Sequence, residues 1–159
     1  MTTSLRALSR GALAELDGVF ERLPENGADA FMDAIVAARR IAFYGCGREG
    51  LQVRGFCMRL FHMGCDVHMV GDMTTPPVGP GDLFVATAGP GALPTAEALM
   101  QVARDAGATV ALITAQPGGR AAALADVHRL ARAYGWTEDQ VLALGPVRRA
   151  HYLSLVGTS

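Results

Sequence analysis

Four short apolar runs alternate with longer stretches of helical periodicity, and this alternation constrains the fold more than any other feature of the chain. The runs span residues 41–44, 67–70, 83–87 and 109–114, and each ends at, or just before, a glycine or threonine. Apolar runs of this length are typical of strands that are buried on both faces of a sheet. Strands that alternate with helices form parallel sheets, because each connection carries a helix across one face.

The stretches between the runs have the spacing of amphipathic helices. This spacing predicts helices over residues 5–20, 28–39, 48–63 and 94–106, and one or two helical turns at 120–124. Residues 127–130 predict a further strand. We therefore expect an α/β fold, a Rossmann-like or flavodoxin-like three-layer α/β/α sandwich with a five-stranded parallel sheet.

The same pattern predicts a single domain over residues 1–159. Within it we expect N-terminal helices in residues 1–39, an α/β core in residues 40–131 and a C-terminal segment in residues 132–159.

Composition excludes several classes of protein. All 14 basic residues are arginine, so Schiff-base chemistry and a P-loop lysine are excluded. The chain is 50% hydrophobic with a net charge of -1, which excludes disorder and gives no electrostatic footprint for nucleic acid. No apolar run approaches the roughly 18 residues of a membrane span, and no secretory signal is apparent. The 3 cysteines are typical of reduced thiols, so we expect a cytoplasmic protein with no membrane partner.

The loops that follow the predicted strands form the candidate ligand site. In parallel α/β sheets, ligands bind outside the carboxyl ends of the strands. The loops at these ends span residues 45–50, 71–77, 87–91 and 114–119; three of them are glycine-rich, and all four contain threonine or an acidic residue.

The first of these loops has the pattern Gly45-x-Gly47-x-x-Gly50, after a strand and at the start of a helix. This is the dinucleotide-binding pattern, in which glycines let backbone amides approach a pyrophosphate. Asp72 closes the next predicted strand, near the place of a ribose-binding acid. Glu49 argues against a dinucleotide, because its negative charge would lie beside the phosphates.

Longer motifs within residues 40–114 carry a resemblance to a known family. They read GCGREGL at 45–51, RGFCMRLFHMG at 54–64, VGDMTTPP at 70–77 and GDL at 81–83. They resemble the sugar isomerase (SIS) domain family and, within it, the 6-phospho-3-hexuloisomerases. The resemblance implies conversion of 3-hexulose 6-phosphate into fructose 6-phosphate by proton transfer through an enediol. It also implies no cofactor, no metal, and a homo-oligomer (a dimer or tetramer) with active sites shared between subunits.

The resemblance assigns candidate roles to individual residues. His62 matches a histidine of the family with a proposed role in proton transfer or ring opening; its alternative role is packing at an interface. Glu49 replaces a serine of the family and is a candidate base, or a contact for a cationic or polyol ligand. Its alternative role is that of an exposed acid that favours the helix dipole. The candidate substrate-binding residues are Gly45, Gly47, Arg48, Gly50, Arg59, Thr74, Thr75, Thr87, Gly89 and Gly91.

The chain departs from the family at several expected functional positions. The family's phosphate loop, Ser-Gly-Ser-Gly-x-Thr, has Ala88, Pro90 and Leu93 at its three hydroxyl positions. Pro90 also lacks an N–H donor. Arg149 stands where the family's glutamate base is expected, and a guanidinium cannot accept a proton.

These departures leave alternatives open. Either the chain has diverged, or its C-terminal end is truncated or altered. Besides the isomerase, a non-catalytic module that binds a sugar derivative or serves as a subunit stays open, and so does a dinucleotide-binding domain.

Overall fold

A computed structural model describes residues 4–134 and 137–156 of the chain. The chain divides into two compact units between Val36 and Ala37. The first unit holds α1 (Leu5–Phe20) and most of α2 (Asp29–Ala37). The elements of the second unit are β1 (Ile41–Tyr44), α3 (Gly47–His62), β2 (Val67–Met69), β3 (Leu83–Thr87), α4 (Pro94–Asp105), β4 (Thr109–Ile113), α5 (Arg120–Tyr134), α6 (Glu138–Leu142) and α7 (Pro146–Val156).

Both N-terminal helices form where the sequence predicts them. The hydroxyl of Ser4 accepts a hydrogen bond from the N–H of Ala7 at 3.2 Å, which caps the start of α1. Such a cap satisfies one of the first N–H groups of a helix, which have no partner within the helix itself. No helix within the described ranges is both long and apolar enough to cross a membrane.

β1 and β3 lie at the centre of a four-stranded parallel sheet with the strand order β2-β1-β3-β4. Ile41 of β1 pairs with Val67 of β2 on one side and with Leu83 of β3 on the other. The connection from β1 to β2 therefore runs toward one edge of the sheet, and the connection from β3 to β4 runs toward the opposite edge. Because such crossovers are right-handed, α3 and α4 lie on opposite faces of the sheet. The boundary between β1 and β3 is the topological switch point of the sheet.

The side chains of the central strands alternate between two cores, one on each face. On one face, Ala42 and Phe84 pack with Met100 of α4. On the other face, Phe43 is fully buried, and its ring meets that of Phe56 of α3 edge-on with centroids 5.7 Å apart. The prediction of an α/β fold with helices on both faces of a parallel sheet is confirmed.

The predicted fifth strand is wrong. Residues 127–130 belong to α5, and the sheet of the described residues has 4 strands. The helical turns predicted at 120–124 instead continue to Tyr134. The physical reason is that no glycine or proline separates 127–130 from the preceding Ala-Ala-Ala-Leu-Ala run, whose residues favour helix. A run of four residues is also too short for its periodicity to distinguish a strand from a helix turn.

Candidate functional site

A cavity of about 330 Å³ lies between the first turns of α3 and the carboxyl ends of β3 and β4. Since α3 directly follows β1, this cavity sits at the switch point of the sheet. That is where ligands of parallel α/β proteins bind. We call it the switch-point cavity, and its lining residues are Glu49, Gln52, Val53, Phe56, Thr87, Gly89, Ile113, Thr114 and Ala115.

Three of the predicted site residues line this cavity: Glu49, Thr87 and Gly89. The apolar wall of the cavity, which includes Val53 and Phe56 of α3, was not predicted from the sequence. These two follow Glu49 by four and seven residues, which places all three on one face of a helix. This helical spacing was already visible in the sequence and could have predicted that Val53 and Phe56 lie beside Glu49.

The glycine loop between β1 and α3 folds back tightly on itself. A Cβ atom added at Gly50 would collide with the carbonyl oxygen of Gly45 and lie 2.9 Å from its carbonyl carbon. Gly47 has a φ of 55°, in the left-handed region that favours glycine. Gly45 and Gly50 therefore permit a close backbone approach, which brings the first turn of α3 against the end of β1, and Gly47 permits the left-handed backbone conformation between them.

Glu49 reaches across the switch point to the loop that follows β3. The N–H of Gly89 donates to both carboxylate oxygens of Glu49, with N···O distances of 3.2 Å each. A hydrogen bond from a backbone N–H to a carboxylate is charge-assisted, and it is stronger than a hydrogen bond between neutral groups. Glu49 therefore acts as a cap on the β3 loop, and its charge lies at the edge of the cavity.

The other backbone donors of residues 88–91 are already engaged. The N–H of Ala88 donates to the carbonyl of Ile113 at 3.0 Å, and that of Gly91 to the carbonyl of Ala88 at 2.9 Å. Pro90 has no N–H. Over residues 88–91, the only N–H not taken by a backbone carbonyl is therefore that of Gly89, and Glu49 accepts it.

Thr87 contributes a buried hydroxyl at the end of β3. The residue is 5% exposed, and its hydroxyl has no hydrogen-bond partner among the described residues. Buried hydroxyls are normally paired, and an unpaired one costs free energy. Thr87 lines the cavity, but its hydroxyl oxygen is itself buried and is not exposed to the space inside the cavity.

His62 and Glu49 lie at opposite ends of α3. His62 is the last residue of the helix and is exposed. The two residues are 13 positions apart, which corresponds to about 20 Å along a helix. Within one chain, the two predicted catalytic residues are therefore not brought together.

The two arginines predicted to bind an anion also lie outside the switch-point cavity. Arg48 and Arg59 are exposed on α3, and neither is among the residues that line it. Arg149 is 5% exposed, and its Nε lies 3.8 Å from a carboxylate oxygen of Asp126. It does not line the cavity either. The structure therefore does not place Arg48, Arg59 or Arg149 where it would replace the missing phosphate-loop hydroxyls.

Thr74 and Thr75 line a different cavity of about 300 Å³ between α3 and β2. The hydroxyl of Thr75 donates to the carbonyl of Met69 at 2.5 Å. Asp72 lines the same cavity and pairs with Arg54 at 3.0 Å. The predicted threonine sites and the acid considered for a ribose therefore lie apart from Glu49. No group of three or more potential metal ligands comes together within the described part of the chain.

The three cysteines differ sharply in accessibility. Cys46 is exposed at the N-cap of α3, whereas Cys57 is buried on the same helix. Burial raises the pKa of the Cys57 thiol, the charge of Asp72 raises it further, and Arg54 opposes both. We therefore expect iodoacetamide at about pH 8 to modify Cys46 at least about tenfold faster than Cys57. Peptide mass mapping over time checks this, with Cys46→Ser as the control. Equal rates at the two positions would contradict the burial of Cys57.

Several curated proteins similar to this chain are named 3-hexulose-6-phosphate isomerase. The one from Bacillus subtilis is 33% identical over 128 residues, which cover 80% of this chain and 68% of that protein. The one from Methylomonas aminofaciens is 35% identical over 115 residues, 72% of this chain and 64% of that protein. The one from Mycobacterium gastri is 40% identical over 92 residues, 58% of this chain and 46% of that protein. The chain thus spans between about half and two thirds of the length of these relatives.

Solved structures agree on the fold. A hypothetical protein of known crystal structure aligns over 92% of this chain, 85% of its own, with a TM-score of 0.69 at 21% identity. A second, from Methanococcus jannaschii, aligns over 83% of this chain and 76% of its own, with a TM-score of 0.60 at 24% identity. For that second protein, a molecular function of 3-hexulose-6-phosphate isomerase was inferred from its crystal structure. No family model matches the chain.

The strand order and the helices on both faces define a doubly wound α/β protein, with a cavity at its switch point. Within that class, the chain belongs to the family of the 3-hexulose-6-phosphate isomerases. The resemblance carried by the motifs at 45–51, 54–64 and 70–77 is confirmed at the level of this family.

Proposed function

We propose that this chain is a sugar-phosphate isomerase of the aldose–ketose type, which shifts the carbonyl group between adjacent carbons of its substrate by proton transfer. The observation that carries the proposal is the Glu49 carboxylate at the edge of the switch-point cavity, in a chain of this family. The reference reaction is the conversion of 3-hexulose 6-phosphate into fructose 6-phosphate. Family membership supports the reaction type, and the cavity is the place in this chain where we locate it.

The chemistry requires a group that accepts a proton from carbon and returns it. In the first half of the reaction, Glu49 takes the proton from the carbon next to the carbonyl, and an enediol forms as the carbonyl oxygen is protonated. In the second half, the neighbouring hydroxyl loses its proton and becomes the carbonyl, while the former carbonyl carbon gains a proton. A carboxylate is a common base for such a step.

His62 enters this scheme only from another subunit. Because it lies about 20 Å along α3 from Glu49, one chain does not present both groups to one substrate. The resemblance implies active sites shared between subunits, and we adopt that arrangement in the proposal. A homo-oligomer would then bring His62 of one subunit to the cavity of another, where it assists ring opening or proton transfer.

Exchange of carbon-bound hydrogen with solvent tests the reaction directly. We expect the chain, incubated in deuterated water with 3-hexulose 6-phosphate or unphosphorylated 3-hexulose, to incorporate deuterium at the carbon next to the carbonyl, as read by NMR. Glu49→Ala is expected to lower the rate by at least about a hundredfold, the usual range for a lost general base. Asp105→Ala removes an exposed acid at the far end of α4 and is the matched control. Absence of exchange with both sugars would overturn the proposal.

Subunit mixing tests the shared site. Glu49→Ala and His62→Ala are each expected to be inactive alone, whereas their random mixture regains about a quarter of the wild-type rate in a dimer with sites between subunits. This gain arises because half the mixed population is heterodimer and carries one intact site of two. A mixture as inactive as its components would rule out the shared arrangement.

A non-catalytic module that binds a sugar derivative is the second candidate. The observation that favours it is that Arg149, at the place expected for the family's base, lies outside the switch-point cavity. Sugar binding by calorimetry without any solvent exchange would support this candidate over the isomerase.

A further inference from the structure

We propose that the outer side of α3 binds a second copy of this chain, with the two α3 helices antiparallel across a twofold axis. This pairing deepens the proposed function and rests on it in one respect, that His62 reaches the cavity from another subunit. What the pairing adds is the surface that joins the subunits, the direction in which their helices run, and the register between them.

The outer side of α3 carries a stripe of exposed residues with heptad-like spacing. The four buried residues of the helix lie on its other side, against the sheet. Leu51, Met58 and Phe61 are each more than half exposed. The exposed Arg54 completes the stripe, whose members are three, four and three residues apart. Side chains at this spacing form the seam along which two helices pack.

Met73 enlarges this stripe into an apolar patch. Asp72 pairs with Arg54 at 3.0 Å, which places the adjacent Met73 beside the stripe. Met73 is fully exposed. We call the exposed apolar residues on this side of the molecule the α3 patch; they are Leu51, Met58, Phe61 and Met73.

The area of the α3 patch matches an interface between two copies of the chain. A large apolar side chain presents roughly 150 to 200 Å² when fully exposed, so the four residues, which are 53% to 104% exposed, present about 500 to 600 Å². A typical interface buries about 800 Å² on each partner, of which roughly 60% is apolar. The patch therefore supplies the apolar part of such an interface, and it lies at the upper limit of what a monomer leaves in water.

The order of residues along the stripe favours an antiparallel pair. If the helices cross at the middle of the stripe, Leu51 lies opposite Phe61 of the partner subunit and Arg54 lies opposite Met58 of the partner subunit. The apolar ends of the two stripes then cover each other, and the aliphatic stem of Arg54 packs on the methionine. A parallel pair would instead place Arg54 beside the partner's Arg54 and bring the positive ends of both helix dipoles together.

The same register brings His62 of the partner subunit to the switch-point cavity. It lies level with Gly50, one residue from Glu49 along α3. At about 100° per residue, His62 lies on the flank of the stripe toward Gln52, which lines the cavity. Antiparallel helices turn the same flank toward each other, so the partner's His62 lies on the cavity side. With helix axes about 8 to 10 Å apart, its Cα atom is about 10 Å from that of Glu49, half the separation within one chain.

Charges at position 58 test the pairing, with self-association measured by analytical ultracentrifugation. Met58→Arg sets a cation opposite Arg54 of the partner subunit and is expected to weaken self-association at least about tenfold. Met58→Glu sets an anion opposite the same arginine and is expected to weaken it less. In a parallel pair, position 58 would face its own copy, so both charges would weaken association equally. Val102→Arg, at an exposed position on α4, is the matched control and is expected to associate like the wild type. Circular dichroism checks that each variant keeps its fold.

Disulfide cross-linking tests the direction of the helices. In chains whose Cys46 and Cys65 are replaced by serine, Leu51→Cys and Phe61→Cys are mixed, allowed to exchange subunits and oxidised. We expect the mixture to give a covalent dimer on a non-reducing gel, because the two positions face each other. Each variant alone is expected to give little, because its thiol lies about 15 Å along the helix from its own copy.

Several outcomes would overturn the pairing. These are a monomeric wild-type chain, association of Met58→Arg as tight as that of the wild type, and cross-linking of each cysteine variant with itself but not of the mixture. A monomer that sediments with vesicles of phosphatidylglycerol would assign the α3 patch to a membrane and overturn the pairing as well.

The two proposals fail in different ways. Cross-linking in the antiparallel pattern, without exchange of deuterium into either sugar, would uphold the pairing and overturn the isomerase. Exchange by an oligomer whose association Met58→Arg leaves unchanged would uphold the isomerase and overturn the pairing.

Discussion

Replacing Asp82 with alanine is expected to lower the free energy of unfolding by about 3 kcal/mol. Its carboxylate is completely buried at the start of β3 and accepts three hydrogen bonds. Two come from Arg39, at 3.0 and 3.1 Å, and one from the N–H of Gly79 at 2.9 Å. The side chain thus joins the turn before β3 to the residues before β1. Alanine leaves the N–H of Gly79 without its acceptor and removes the side-chain link between these two segments, which then depend on backbone hydrogen bonds alone.

Urea unfolding of Asp82→Ala measures the loss, and Asp66→Ala is the matched control. Asp66 also pairs with an arginine, since its carboxylate lies 2.8 Å from Arg40 and 2.7 Å from His68, but it is exposed. Exposed pairs contribute little, so this control is expected to lose no more than about 1 kcal/mol. Equal losses in the two variants would contradict a special role for the buried carboxylate.

The contribution of Asp66 to the free energy of unfolding depends on pH. Burial alone would raise the pKa of Asp66, but hydrogen bonds from His68 and Arg40 outweigh it and hold the pKa below its ordinary value. A carboxyl group whose pKa is lower in the folded state stabilises the fold above its unfolded pKa and ceases to do so as the pH falls through the folded pKa. The small difference between the wild type and Asp66→Ala is therefore expected at neutral pH and should vanish in strongly acidic solution.

Replacing Gly50 with alanine is expected to cost about 3 kcal/mol, whereas the same change at Gly55 in the same helix is expected to gain about 0.5 to 1 kcal/mol. A Cβ atom at Gly50 would meet the backbone of Gly45, which cannot move aside without deforming the end of β1. At Gly55, a Cβ atom would meet nothing within 4 Å, so alanine only reduces the entropy of the unfolded chain.

The test is whether Gly50→Ala and Gly55→Ala change the free energy of unfolding in opposite directions. Both add one methyl group to α3, so helix propensity favours both equally, and only the contact with Gly45 separates them. Urea unfolding at constant slope m measures the two free energies. Stabilisation by Gly50→Ala would mean that β1 and α3 do not approach each other as closely as described.

Local patterns in the sequence suffice for most of the fold. β1 and β3 begin and end where their apolar runs do, because a run closed by glycine or threonine leaves few alternatives for a buried strand. α3 begins and ends within one residue of the prediction, because the glycine loop and Gly64 flank its periodic stretch. Residues 127–130 were misassigned because four apolar and polar residues within a longer helix carry too little periodicity of their own.

The site was less predictable, because its contacts join residues far apart in the chain. Glu49 and Gly89 lie 40 residues apart, and neither loop alone indicates that the acid accepts the N–H of the glycine. The motif residues Thr74 and Thr75 looked equivalent to Thr87 in the sequence, yet they line the cavity beside β2. The separation of His62 from Glu49, in contrast, follows from helix geometry once α3 is assigned.

Apolar runs and helical spacing in the sequence therefore determine that this is an α/β chain. Its similarity to known proteins determines that it belongs to the 3-hexulose-6-phosphate isomerase family. The order of the strands and the packing of α3 determine which of its candidate residues share a cavity. Parallel strands bring loops distant in sequence to one edge, and the close approach of Gly45 and Gly50 brings Glu49 to the β3 loop. In the sequence, Glu49 is only an acid in place of the family's serine. In the folded chain, its carboxylate accepts the N–H of Gly89, which is the one N–H of residues 88–91 that no backbone carbonyl accepts.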